Sequence, residues 1–154
     1  MLVPFGSHHQ QELSLPEAVD TKRNKILILE DDEEFNSILK QSLEGDYFEV
    51  VAVANGDDGI REIVSSDFGA IVCDIVMPKL PGDMFYLAVE RLRPQLCSRF
   101  VFISGKNGNR KITEFMQRIN GTLLKKPFHV DDLLDLIHFV LIRTALASPG
   151  LSEP

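Results

Sequence analysis

The feature that most constrains this chain is a set of five short segments that are apolar at consecutive positions rather than at alternate ones. They are "KILIL" from Lys25, "FEVVAV" from Phe48, "GAIVC" from Gly69, "RFVFI" from Arg99 and "GTLLK" from Gly121. A strand wetted on one face alternates apolar and polar residues, whereas a strand covered on both faces does not have to. Between these runs the apolar residues change to helical spacing. Phe35, Ile38, Leu39 and Leu43 form the first such stretch, with Gly45 as its stop signal, and Ile60, Ile63 and Val64 follow "NGDDG". Phe85, Leu87, Ala88 and Leu92 come next, halted near Pro94. A weaker pattern joins Ile112, Phe115, Met116 and Ile119, and the last helix starts near Asp131 and carries Leu133, Leu134, Leu136, Ile137, Val140, Leu141 and Ala145. Strands alternating with helices, joined by right-handed crossovers, predict an α/β fold with a doubly wound five-stranded parallel sheet.

In such sheets, ligand sites form beyond the carboxyl ends of the strands. The residues there are Glu30 and Asp31 after the first strand, Asp74 after the third, Ser104 after the fourth and Lys126 near the end of the fifth. Three carboxylates at one sheet edge repel one another unless a cation neutralises them, and a hard oxygen-loving ion such as Mg²⁺ suits that donor set. Lys126 adds a fixed positive charge and Ser104 a hydroxyl that donates or accepts. Cys73, next to Asp74, lies in an apolar run and reads as core, and no histidine with a second base stands beside these residues in the pattern of a hydrolase triad. The set suits attack by one carboxylate on phosphorus, with the metal and the lysine spreading the charge on the phosphoryl oxygens. Asp74 is the expected nucleophile, because it stands alone between the acidic pair and the lysine. Taken singly, each piece has a plainer reading. Acids from Glu30 to Glu34 favour a helix start, Asp74 can cap a strand, Ser104-Gly105 is a common turn pair, and Lys126-Pro127 can be a lysine before a turn.

Composition narrows the function classes. The 154 residues carry 23 acidic against 16 basic side chains, a formal net charge of -7, which disfavours direct binding to nucleic acid or to anionic membranes. No apolar stretch approaches the roughly 20 residues of a membrane helix, and no secretory signal is visible. Two cysteines, Cys73 in an apolar run and Cys97 in a loop-like segment, fit a reducing, cytoplasmic setting. Residues 1–24 have no sustained period, and their adjacent His8 and His9 are read as a polar tail or expression remnant before a metal site. Residues 147–154 also have tail composition, leaving 25–146 as one domain.

On four motifs the stretch Lys25 to Leu146 resembles the receiver domain of bacterial two-component response regulators. They are "ILILEDD", "VCDIVMPKLPG", "VFISG" and "LLKKPF", in that order and each at a strand end. The resemblance implies a flavodoxin-like (βα)5 receiver fold with strand order 2-1-3-4-5. It implies that Asp74 is the phosphoacceptor, that Glu30, Asp31, Asp74 and the backbone carbonyl of Val76 hold Mg²⁺, and that Ser104 and Lys126 meet the phosphoryl group. Gly105 matches the small neighbour that leaves room for it, and the Lys126-Pro127 bond is expected cis. The implied partners are a sensor histidine kinase or a histidine phosphotransfer protein. Downstream lies a protein target, or a second copy of this chain, met through the fourth helix, fifth strand and fifth helix. The implied protein is a phosphorylation switch rather than a turnover enzyme, either a stand-alone receiver or one cut from a longer protein.

The departures from the family pattern are specific. Leu123 occupies the place where many receivers carry an aromatic residue, and Val76 is apolar where many relatives are polar. The segment "KNGNRKITEF" predicts a late-starting, mobile fourth helix. Leu136, Phe139, Val140, Ile142 and Leu146 cannot all face one core stripe, so some must be exposed or meet a partner. The alternative function is a pseudo-receiver, a docking module that works without phosphorylation. An aspartate-based phosphohydrolase ranks lower, because Val76 stands where its second acid belongs. A flavin-binding electron carrier lacks the phosphate loop it needs after the first strand.

Overall fold

The computed structural model describes residues 24–105 and 109–146. Lys106 to Gly108 and the two tails, His8 and His9 included, lie outside the described residues. Five strands run through the sheet: β1 (Lys25–Leu29), β2 (Glu49–Val53), β3 (Ala70–Asp74), β4 (Phe100–Ser104) and β5 (Thr122–Lys125). Five helices alternate with them: α1 (Glu33–Gly45), α2 (Gly56–Ser65), α3 (Gly82–Leu92), α4 (Arg110–Ile119) and α5 (Val130–Leu146), with a 3-10 turn at Pro94–Arg99. The sheet is parallel throughout, in the order β2-β1-β3-β4-β5. Doubly wound topology and strand order are both as expected.

Successive side chains on a strand point to opposite faces, and here both faces are covered. Leu27, Leu29, Ile71, Cys73, Phe100 and Phe102 pack beneath α2, α3 and α4. Ile26, Ile28, Val72, Val101 and Ile103 pack with Leu39 and Leu43 of α1 and with Leu133, Ile137 and Val140 of α5. The first layer is aromatic at its centre. Tyr86 of α3 lies 5.1 Å from Phe100 and 5.6 Å from Phe115 of α4 between ring centroids, and Phe115 meets Phe102 edge-on at 5.6 Å. Leu123 is half-buried against the same layer.

Local chemistry sets the helix starts. Asp32 accepts from the Phe35 N–H to cap α1, Asn55 from Asp58 to cap α2, and Asn109 from Lys111 to cap α4. The helix α4 thus begins at Arg110, late as expected, and ends on Asn120 in the left-handed region at φ 51°.

Four strands start one residue later than expected, β2 at Glu49, β3 at Ala70, β4 at Phe100 and β5 at Thr122, and for two of them the hydrogen bonds give the reason. The fourth strand starts at Phe100 rather than Arg99, because Arg99 closes the 3-10 turn and turns its guanidinium to the Phe68 carbonyl (2.7 Å) and the Asp67 carboxylate (3.3 Å). The second strand starts at Glu49, because the Phe48 N–H still bonds the Leu43 carbonyl of α1. On α5 the apolar excess divides. Val140 is fully buried and Leu136 half-buried, while Phe139, Ile142 and Leu146 are exposed. Among the described residues no helix is long and apolar enough to cross a membrane.

Candidate functional site

Register brings the strand ends level. Leu29 pairs with Val53 and Cys73, Asp74 with Ile103, and Ser104 with Lys125. The residues that close or follow β1, β3, β4 and β5 therefore share one edge. There Glu30, Asp74 and Ser104 are buried, at 1%, 4% and 2% exposure, while Asp31 opens to solvent. Carboxylate oxygens of Glu30, Asp31 and Asp74 all lie within 4.8 Å of one another. The Lys126 ammonium reaches across, 3.1 Å from Asp74 Oδ2 and 3.2 Å from Glu30 Oε1. The Lys126 N–H donates to the Ser104 carbonyl at 2.8 Å, and its bond to Pro127 is cis, as expected.

The two buried carboxylates are also held from their own side. The Val76 N–H donates to Asp74 Oδ1 at 3.0 Å, and the Asp32 N–H donates to Glu30 Oε2 at 3.0 Å. Burial pushes the Glu30 carboxyl up to about 7, with a further upward push from Asp74 and opposing help from the Asp32 N–H and Lys126. Burial works against the charge on Lys126, but Asp74 and Glu30 outweigh it and hold the ammonium above its ordinary value.

A sequence profile of the response regulator receiver domain matches residues 26–138. The chain belongs to this family. A receiver domain protein from Methanospirillum hungatei, described as CheY-like, superimposes with a TM-score of 0.74 at 25% identity, covering 80% of this chain and 98% of that one. The receiver domain protein of Clostridium thermocellum gives 0.73 at 23% identity over the same shares. The transcriptional regulatory protein SrrA of Staphylococcus aureus is 23% identical over 131 residues, which are 85% of this chain and 53% of SrrA. The chain thus spans about half the length of the curated relatives it matches.

In this receiver the donor set fits a divalent cation. Three carboxylates meet one lysine, two of the three are buried, and burial with mutual repulsion already drives Glu30 toward its protonated form. Asp31, the exposed member, leaves the pocket open to solvent on its side. The loop behind Asp74 is fixed by close contact. The Gly82 N–H bonds the Ile75 carbonyl at 2.8 Å, and a Cβ on Gly82 would stand 2.5 Å from the Asp74 carbonyl oxygen and 2.8 Å from Ile75 Cα. Only glycine lets the start of α3 approach that closely.

Every side chain expected at the site stands at this edge of the receiver, and Glu30, Asp31, Asp74 and Lys126 meet there. Val76 contributes its N–H to Asp74 and turns its side chain to solvent at 57% exposure. A Cβ on Gly105 would make only an ordinary contact, 3.6 Å from Lys126 Cδ. Two residues escape the strand-end rule. Asn36 donates from Nδ2 to the carbonyls of Glu30 (2.9 Å) and Val53 (3.0 Å), tying α1 to the ends of β1 and β2. Phe35 carries the Lys126 ammonium 4.7 Å above its ring centroid. In the sequence Phe35 opens a helical apolar stripe, which hides any second duty; the signal available was Phe128, close after the lysine and able to pair with it.

Proposed function

We propose that this receiver takes a phosphoryl group from a phosphohistidine onto Asp74 and uses it to change the face it presents to other proteins. One observation carries this: a buried carboxylate, Asp74, lies 3.1 Å from a lysine ammonium and within 4.8 Å of two further carboxylates. An oxygen of Asp74 forms the new P–O bond while the P–N bond of the donor breaks, and the leaving imidazole nitrogen keeps that electron pair. Lys126, already between two carboxylates, shifts a donor to a phosphoryl oxygen as negative charge gathers there. Ser104, buried beside it, offers its hydroxyl to another. Glu30, Asp31, Asp74 and the Val76 carbonyl would hold Mg²⁺, which when bound supplies the positive charge that lets two anions meet.

The acyl phosphate on Asp74 adds charge and acceptor oxygens at the end of β3, and Ser104 and Lys126 carry the change to β4 and β5. The partners that follow are a histidine kinase or phosphotransfer protein upstream and a protein, or a second copy, on the face made by α4, β5 and α5. Exposed Phe139, Ile142 and Leu146 on α5 support contact with protein. Such a chain is a switch and not a turnover enzyme, since Val76 stands where a hydrolase would place a second acid. Free thiols at Cys73 and Cys97 support a cytoplasmic setting.

Incubation with MgCl2 and acetyl phosphate, read by intact mass, tests the proposal. One added phosphoryl group, absent in Asp74→Asn, is expected. A silent wild type refutes the proposal in favour of phosphorylation-independent docking, and sustained phosphate release over many turnovers refutes it in favour of an enzyme.

A further inference from the structure

We infer that Phe35 is a positioning residue for Lys126, its ring face forming a bearing on which the ammonium turns as it exchanges a carboxylate for a phosphoryl oxygen. The inference rests on the phosphoacceptor role proposed above. A lysine ammonium has three donors, and two of them are engaged, by Glu30 at 3.2 Å and Asp74 at 3.1 Å. The ring of Phe35 receives the same ammonium, 4.7 Å from its centroid. Attraction between a cation and a ring face depends on the position of the charge and little on which N–H points where. A hydrogen bond, in contrast, weakens steeply as its angle closes. An ammonium held by carboxylates alone must give up much of its attachment to rotate. One seated on a ring keeps that contact throughout.

The ring is itself fixed. Its residue lies on the first turn of α1, with its N–H on the Asp32 cap at 3.0 Å. Phe128 also meets it edge-on, 5.9 Å between centroids and 65° between planes. Lys126 and Phe128 are two apart on one segment, so that segment clasps Phe35 with a cation and with a ring edge. Both aromatics are half-buried, which keeps water from competing for the ammonium on that side. Phe35 touches no reacting atom, and its effect passes wholly through Lys126.

The test uses the full chain with 4-fluoro-, 3,5-difluoro- and 3,4,5-trifluorophenylalanine placed at position 35, together with Phe35→Leu. Fluorination drains charge from the ring face with little change of shape, so a packing role leaves the series flat. Phosphorylation by acetyl phosphate with MgCl2 is expected to slow stepwise, reaching about 3- to 10-fold in the trifluoro protein and Phe35→Leu. Mg²⁺ affinity is expected to stay within two-fold of wild type. A second readout needs no phosphorylation: the ε-CH2 protons of Lys126 should resonate upfield from the ring current, and return to ordinary values in Phe35→Leu. Rates that ignore fluorination, or unshifted ε protons in the wild type, overturn the inference. A wild type that takes up no phosphoryl group while its ε protons are shifted overturns the phosphoacceptor role and the bearing function, and leaves only a static contact.

Discussion

The metal-free protein should lose stability as pH rises from about 5.5 to 8, and Glu30 is the reason. Its carboxyl is pushed from an ordinary 4.5 to about 7, first by burial and then by the neighbouring Asp74 charge, despite the Asp32 N–H and Lys126. The folded chain therefore holds a proton that the unfolded chain releases between those two values. Folding gains from that proton fully below about 4.5, and the gain disappears as pH climbs through about 7. A gap of about two and a half pH units sets a ceiling of roughly 3 kcal/mol, of which about 2 kcal/mol is lost between pH 5.5 and 8. Urea denaturation in EDTA across that window measures it. Glu30→Gln is the reference, since the amide mimics the protonated acid and every other titrating group cancels in the difference. Glu30→Gln should be the more stable by roughly 1.5 kcal/mol at pH 5.5, where the unfolded glutamate is already ionised, and the gap should widen to roughly 3 kcal/mol at pH 8. Millimolar Mg²⁺ should restore the wild type at the upper end, because the cation takes the place of the missing proton. Parallel curves for the two proteins would show Glu30 ionised throughout, and would refute the balance of burial and charge described for the site.

Three further outcomes follow from single contacts. Gly82→Ala forces a Cβ to 2.5 Å from the Asp74 carbonyl oxygen; a loss of about 1–3 kcal/mol in urea midpoint analysis is expected, together with slower phosphorylation. Lys126→Met keeps the stem and removes the ammonium from Asp74 and Glu30, so phosphorylation by acetyl phosphate should slow by about 10²-fold or more, while Mg²⁺ binding, measured by calorimetry, should persist. Arg93→Ala removes a guanidinium that bonds the carbonyls of Ile63 (2.9 Å) and Ser66 (2.8 Å) at the end of α2; about 1–3 kcal/mol of stability should go, with no change in the rate of phosphorylation.

Strands and site were legible in the sequence for one shared reason. A strand buried on both faces is written as a continuous apolar run, and the first polar residue after it is where the chain leaves the core. Glu30 and Asp74 could thus be picked out without knowing which strands adjoin, whereas Lys125 is the first polar residue after Leu124 and Lys126 was singled out by the family resemblance, which places the lysine directly before Pro127. What could not be read depends on partners distant in sequence. Arg99 looks like a strand residue until Asp67 and the Phe68 carbonyl claim its guanidinium. Phe35 satisfies the helical spacing whether or not a cation lies on its ring, and Asn36 declares itself only once the ends of β1 and β2 stand side by side. The exposure of Phe139, Ile142 and Leu146 was legible as an excess of apolar positions on α5, whereas the inward turn of Val140 was decided by the sheet it packs against.

The aromatic layer under α3 and α4 gives the protein a built-in optical probe. The chain has no tryptophan and two tyrosines. Tyr47 is 88% exposed, and Tyr86 is 7% exposed with its phenol pushed up to about 12, by burial first and then by Cys97. A soluble quencher therefore silences Tyr47 and leaves emission from Tyr86 alone, whose ring lies against Phe102, two residues before Ser104. Any rearrangement passing from the end of β4 into α4 can then be followed by light from the unlabelled chain.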